Sequence, residues 1–256
     1  MDPYAWAVRW DEALTVALLT AGYVLAIRFF PARRLRIASY ASAMVLLVVA
    51  FQTPLETIGL HYLLSAHLLQ NVILAEWAPA LAVAGLPPAL AAAMTRPRAL
   101  QLVTHPLVAL PLWLVTYFVW HFPAVYDFAL RHPDSVLHLE HATYFATGAA
   151  LWWPVIHDAP HRLSSGIRAG YLFGAFVLAS PIGLLLALAG RPVYDFYAGA
   201  PERLWGMSRL ADQQVAGLTM SAEQAVVFFA VFAYYFFRFF AEEELAEAGA
   251  SRPGSR

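Results

Sequence analysis

Residues 64–85 read LSAHLLQNVILAEWAPALAVAG. The stretch is apolar almost throughout, and its only charged residue is Glu76. A helix needs about 20 mainly apolar residues to cross the hydrocarbon layer of a bilayer, so this stretch predicts a transmembrane helix. The composition of the whole chain agrees, because 61% of its residues are hydrophobic and only 13% are charged, against roughly 25% charged in soluble domains. The chain is therefore predicted to be an integral membrane protein.

Six further apolar stretches resemble the first one in length, which predicts an all-α membrane bundle of about seven transmembrane helices. The predicted spans are 13–30, 37–51, 64–85, 102–120, 138–155, 167–189 and 214–240. We predict a single seven-span membrane domain over residues 1–240. Residues 241–256 are acidic and then rich in Gly, Ser and Pro, which predicts a disordered cytoplasmic tail.

The distribution of arginine predicts the orientation of the bundle. The loops after the first, third and fifth predicted spans hold Arg33, Arg34, Arg36, Arg96, Arg98, Arg162 and Arg168. Because cytoplasmic loops carry an excess of basic residues, the N-terminus is predicted outside and the C-terminus in the cytoplasm.

With this orientation, most histidines of the chain fall near the predicted outer face. Ionisable residues in a membrane are costly, so each one indicates either a partner or a function. Neutral imidazole binds copper, zinc or haem iron, and a neighbouring carboxylate can orient it. The chain has no cysteine, so a copper(I) site would have to use histidine and methionine. We predict a metal site with the ligands His67, His138, His141 and Asp212. His121 and Gln213 are predicted to support these ligands.

The same residues also fit a structural interpretation. Histidines at helix ends often lie in the membrane interface, and Asp212 precedes an apolar run, where it could cap the seventh helix. Glu76 lies midway along the third span, so it must be protonated or paired there. It could serve in proton handling or form a hydrogen bond at a helix interface.

Three motifs together resemble one known family. They are residues 65–70 (SAHLLQ) with 78–79 (AP) and 85–87 (GLP), residues 138–141 (HLEH) with 152–154 (WWP), and residues 210–217 (LADQQVAG). Their order and spacing over roughly residues 10–240 are similar to those of CtaG-type cytochrome c oxidase assembly factors. This is a seven-helix bacterial family and not the single-span copper chaperone of the same name. The chain departs from the pattern at Asn71, where many members carry a histidine.

The resemblance implies a multi-pass protein of the bacterial cytoplasmic (inner) membrane that helps to mature a haem–copper terminal oxidase. Its implied partners are terminal oxidase subunits and membrane lipid, and its implied cofactor is copper. The implied role involves no enzymatic turnover. The resemblance places the site at His67, His138, His141, Asp212 and Gln213. A net charge of −1 gives no reason to expect a nucleic-acid partner. A membrane transporter and a haem-binding redox protein remain the alternative interpretations, the latter because facing histidines can hold a haem.

Overall fold

The structure is a computed structural model and describes residues 2–6, 9–200 and 202–250. Within these ranges every regular element is helical and none is a strand, which confirms the all-α prediction. In chain order the α-helices of the described ranges are α1 (Trp10–Phe29), α2 (Arg34–Gln52), α3 (Pro54–His61), α4 (Leu64–Val72), α5 (Ala78–Gly85), α6 (Pro88–Met94), α7 (Arg98–Val103), α8 (Pro106–Trp120), α9 (Pro123–Arg131), α10 (His138–Ile156), α11 (Ser165–Leu188) and α12 (Arg209–Ala250). Two π-helical turns, Ile73–Trp77 and Pro133–Leu137, connect α4 to α5 and α9 to α10.

Five helical segments of the described chain are long and apolar enough to cross a membrane, and they coincide with the first, second, third, sixth and seventh predicted spans. The third of them is continuous over Leu64–Gly85, because the π turn joins α4 to α5. The pair α8 and α9 counts as a sixth span if it is taken as one element, although it bends by 74°. The count of seven stays a prediction.

The remaining two predicted spans differ from the expectation in specific ways. The fourth begins at Pro106 and not at residue 102, because Arg98–Val103 forms a separate short helix. The fifth is α10, which has 19 residues but is too polar to be among the apolar candidates. It opens with His138, Glu140 and His141.

The position of α10 explains its polarity. It packs against α5, α8 and the π turn Ile73–Trp77, and much of its length is buried by protein. Ionisable residues of membrane helices face the bundle interior in this way. Helix α1, by contrast, buries only Glu12 and Tyr23. A polar helix at the centre and an apolar one at the edge suit a bundle surrounded by lipid.

Gly148 allows α10 to approach the third span closely. A Cβ atom at this position would collide with the carbonyl oxygen of Ala75 in the π turn. Small residues permit such close contacts between membrane helices. The contact holds the middle of α10 against the π turn that follows α4.

Helix α12 extends beyond the predicted end of the membrane domain. It includes residues 241–250, which we predicted to be disordered, so the structure differs from the prediction there. Two contacts support this part of the helix: Arg238 Nε lies 2.8 Å from Glu242 Oε1, and the Ser165 hydroxyl donates to the same oxygen over 2.9 Å. Residues 251–256 lie outside the described residues.

Reporter fusions test the predicted orientation. With the C-terminus in the cytoplasm, a C-terminal alkaline phosphatase fusion is expected to be inactive, and a C-terminal green fluorescent protein fusion to be fluorescent. A phosphatase fusion in the segment between α11 and α12 is the matched control and is expected to be active. The opposite pattern would contradict the outward position of the candidate site.

Candidate functional site

The polar residues predicted from the sequence gather at one end of the bundle, where α1, α4, α10 and α12 begin. We call it the polar end. Asp212 at the start of α12 accepts hydrogen bonds from the backbone N–H groups of Leu64 and Ser65 at the start of α4. Arg9, just before α1, contacts His138 at the start of α10. Four helix starts therefore meet at the polar end.

His67 on α4 and His141 on α10 face each other inside this end. Their ring centroids are 6.2 Å apart, and the residues are only 1% and 5% exposed. Two aromatic rings flank them: Phe51 lies 5.4 Å from His141 and Tyr126 lies 5.5 Å from His67. We call His67 and His141 the histidine pair.

The histidine pair has nitrogen atoms that no protein group satisfies. His67 Nε2 and both ring nitrogens of His141 are buried without a hydrogen-bond partner in the described structure. A buried polar atom without a partner costs about 1–3 kcal/mol, and a water or an ion commonly accounts for such an atom. The pair therefore offers free nitrogen donors to a small cation.

A carboxylate lies beside the histidine pair. Glu140 is fully buried, and its Oε1 is 3.8 Å from His67 Nε2. Asn71 lies one helical turn after His67 and donates from Nδ2 to the same oxygen over 2.9 Å. The asparagine at which this chain departs from the family pattern therefore positions Glu140 next to His67.

A cavity of about 490 Å³ at the polar end reaches His141 of the histidine pair. Asp11, Glu12, His138 and His141 are among its lining residues, the rest being mainly apolar. His138 Nε2 lies 3.0 Å from Asp11 Oδ2 and 2.5 Å from Arg9 Nη2. Because the His138 and Asp11 side chains are partly exposed while His141 is buried, the first two form the mouth of the cavity and His141 its inner wall.

The structure brings together two of the four predicted metal ligands. His67 and His141 form the pair, whereas His138 contacts acidic residues and Arg9 at the mouth. Across the described ranges, no group of three or more His, Asp or Glu side chains is arranged to hold a metal ion. Metal binding stays a prediction. Of the four predicted ligands, the histidine pair is the part that the structure brings together.

Asp212 has a structural role that differs from both interpretations of the sequence. Its carboxylate oxygens accept the N–H groups of Leu64 and Ser65 over 2.9 and 3.0 Å, and Oδ2 lies 3.5 Å from Arg203 Nη2. The N–H groups at a helix start have no partner within the helix. Asp212 therefore caps α4, the neighbouring span, and not its own helix.

The two supporting residues also have protein partners. Gln213 accepts from the N–H of Val193 over 2.6 Å and donates to the carbonyl oxygens of Leu186 and Arg191 over 3.3 Å, which fixes the end of α11. His121 Nδ1 lies 2.8 Å from the Tyr117 carbonyl oxygen and its Nε2 is free. Neither residue is placed as a ligand beside the histidine pair.

The sequence did not single out a second buried polar cluster at this end. Gln70 donates to Glu56 Oε2 over 2.5 Å, and Arg9 Nη1 lies 3.5 Å from Glu56 Oε1. Burial raises the pKa of the Glu56 carboxyl, although the hydrogen bond from Gln70 and the charge of Arg9 act in the opposite direction. The available signal was the spacing of His67 and Gln70, which puts them on one helix face. Glu56 and Arg9 lie outside the predicted spans.

The fold and the buried polar end define a multi-pass α-helical membrane protein with a buried imidazole pair below a polar mouth. Residues 16–242 match the family described as cytochrome c oxidase caa3 assembly factor (Caa3_CtaG). Since the match covers most of the chain, the protein belongs to this family, and the resemblance drawn from the three motifs is confirmed. No curated protein and no solved structure matches the chain.

Proposed function

We propose that this protein helps to mature a haem–copper terminal oxidase in a bacterial inner membrane, and that it holds copper(I) between His67 and His141. Membership of the assembly-factor family supports the first part. The second part rests on one observation, the buried imidazole pair with three nitrogen atoms that lack partners.

The separation of the two rings suits a two-coordinate ion. With metal–nitrogen bonds of about 2.0 Å, imidazoles on opposite sides of an ion have ring centres roughly 6 Å apart, close to the observed 6.2 Å. Copper(I) accepts two nitrogen ligands in a nearly linear arrangement, whereas structural zinc takes four ligands. Because the described residues supply only two imidazoles here, the pair favours copper(I) over zinc.

Charge supports the same ion. Two neutral imidazoles leave copper(I) with a charge of +1, and a buried charge is costly unless it is compensated. Glu140 supplies a carboxylate 3.8 Å from His67 Nε2, and Asn71 holds it there. Neighbouring carboxylates of this kind also orient ligating imidazoles.

The cavity gives the ion a path. Asp11 and His138 at the mouth offer a carboxylate and an imidazole to an entering ion, and Arg9 contacts both of them. Copper would enter and leave at the polar end, which is predicted to lie on the outer face from the arginine distribution. An oxidase subunit receiving copper would therefore dock there, and the surrounding helices remain in lipid.

Copper titration of the full-length protein in detergent tests this proposal. Under anaerobic conditions and in competition with a copper(I) chelator, we expect one copper(I) per chain with X-ray absorption typical of two nitrogen ligands. His141→Ala is expected to lose this binding, because one imidazole cannot hold the ion against the chelator. His132→Ala is the matched control, since His132 is exposed and bonds its own helix at Phe128. Unchanged binding in His141→Ala, or a haem Soret band in the purified protein, would contradict the copper site.

A further inference from the structure

Two acidic side chains meet in the middle of the bundle, away from the histidine pair. Glu76 lies in the π turn of the third span, and Glu223 lies on α12. Glu76 is fully buried and Glu223 is 8% exposed. Two crossed hydrogen bonds bring them together, because Trp77, next to Glu76, donates to Glu223, and Gln224, next to Glu223, donates to Glu76. Because burial and a neighbouring like charge both disfavour ionisation, this arrangement favours a proton on one of the two groups.

The groups around the two carboxyls are neutral donors. Gln224 Nε2 donates to Glu76 Oε1 over 3.0 Å and to the Tyr117 hydroxyl oxygen over 3.1 Å. Trp77 Nε1 donates to Glu223 Oε1 over 2.5 Å. In the part of the chain that the structure describes, no arginine forms an ion pair with either carboxyl, and the sequence contains no lysine. The nearest ionisable side chain of opposite sign in the described structure is therefore His121, which lines the same small cavity as Glu76 without an ion pair to it, and the carboxyls are left to a bound cation.

The size and chemistry of the cluster select the proton as this cation. Among the described residues, Glu76 Oε2, Glu223 Oε2 and Gln224 Oε1 are buried and have no hydrogen-bond partner, so the cluster has unused oxygen atoms. Metal ions such as calcium take six to eight oxygen ligands, and the described residues form no such group. A proton needs only the two facing oxygens.

The π turn has a direct part in this arrangement. A π turn changes the helical register, and such turns are frequent at functional sites. Here it contains Glu76 and Trp77, which contact Gln224 and Glu223 of α12 respectively. The irregular turn therefore supplies one carboxyl of the cluster and a donor to the other.

A polar path connects the carboxyls with the polar end. A cavity of about 10 Å³ is lined by Asn71, Glu76, Tyr117 and Tyr144 among others. This is about the space that one water molecule needs, and most of the other lining side chains are apolar. On the far side of this cavity, Asn71 bonds Glu140 beside the histidine pair. Hydrogen-bonding groups therefore lead from the polar end to Glu76.

We propose that Glu76 and Glu223 form a proton-binding site in the membrane-spanning bundle, which shares one proton between two carboxyl groups and exchanges it through the cavity at Asn71. The two carboxyl groups are not part of the histidine pair, so proton binding can be measured on the copper-free protein. Binding or release of this proton changes the net charge of the two carboxyl groups inside the membrane.

Infrared difference spectroscopy of the full-length protein in detergent tests the site. The wild type minus Glu76→Gln/Glu223→Gln spectrum at neutral pH is expected to contain the C=O band of a protonated carboxylic acid, which shifts in D2O. The single variants are expected to shift this band, because each leaves one carboxyl beside an amide. Glu242→Gln is the matched control on α12 and is expected to leave the band unchanged, since Glu242 pairs with Arg238.

The same spectra can overturn the proposal. If the double and single variants remove only carboxylate bands, both carboxyls are ionised and no proton is shared. If the double variant does not fold, the two single-variant difference spectra decide in the same way. The route has its own test: Asn71→Leu is expected to slow the shift of the band after transfer to D2O, and an unchanged rate would exclude this path.

Discussion

Replacing His67 or His141 by alanine is expected to leave the protein in the membrane and to abolish maturation of the terminal oxidase. Packing and helix contacts over the whole bundle stabilise a membrane protein of this kind, so the loss of one imidazole should be tolerated. The proposed copper(I) ion, however, has only two imidazole ligands. Loss of either one removes half of its coordination, and we expect oxidase activity to fall to the level of a strain without the gene.

The measurement is oxidase activity and oxidase copper content in membranes that contain equal amounts of each variant. His132→Ala is the control and should retain full activity. Copper added to the growth medium should restore part of the activity if the defect lies in copper supply. Normal oxidase maturation in both alanine variants would show that the histidine pair is structural.

A second substitution at the same position separates function from stability. His141 has two buried ring nitrogens without partners in the described structure, and its neighbours include Phe51 and Leu74 of the cavity wall. Replacing an unsatisfied polar group by an apolar one of similar size is nearly neutral or stabilising. His141→Leu should therefore unfold at the same or a higher temperature than the metal-free wild type, while it loses oxidase maturation. If His141 is purely structural, His141→Leu should unfold at a lower temperature than the wild type and still support oxidase maturation.

The sequence was sufficient for the class of fold, because long apolar runs have few alternative structures. Residues 64–85 were predicted as one span and form one continuous helical segment that is long and apolar enough to cross a membrane. It was less informative for α10, whose polar start makes sense only once the helix is seen buried between α5 and α8. Hydropathy identifies helices that face lipid, whereas the residues of a central helix depend on its contacts with neighbouring helices.

The candidate site was predicted in part for a related reason. His67 and His141 could be recognised because imidazoles at the predicted ends of two spans share one depth in the membrane. Glu223 was missed although it interrupts the apolar run of α12, since its partner Glu76 lies 147 positions earlier and the rotation of each helix was unknown. Depth follows from sequence position, but the face that a helix turns to its neighbour follows from packing.

Asp212 shows the same limit and leads to the second large effect. Asp212→Ala is expected to reduce the free energy of unfolding by about 3–5 kcal/mol, the range for breaking a buried charge pair. The carboxylate is almost fully buried, and it accepts the N–H groups of Leu64 and Ser65 while it pairs with Arg203. Alanine would leave both N–H groups and the Arg203 charge without these contacts at the start of α4.

Equilibrium unfolding in detergent, followed by circular dichroism, measures this effect. Asp212→Asn keeps one carbonyl acceptor and should lose less than the alanine variant. The matched control is Asp195→Ala, whose exposed carboxylate lies 3.7 Å from Arg209 Nη2. An exposed pair contributes only about 0–1 kcal/mol, so this variant should unfold almost like the wild type. If Asp212→Ala kept its stability and instead lost copper(I) binding, the cap would be dispensable and Asp212 would belong to the metal site.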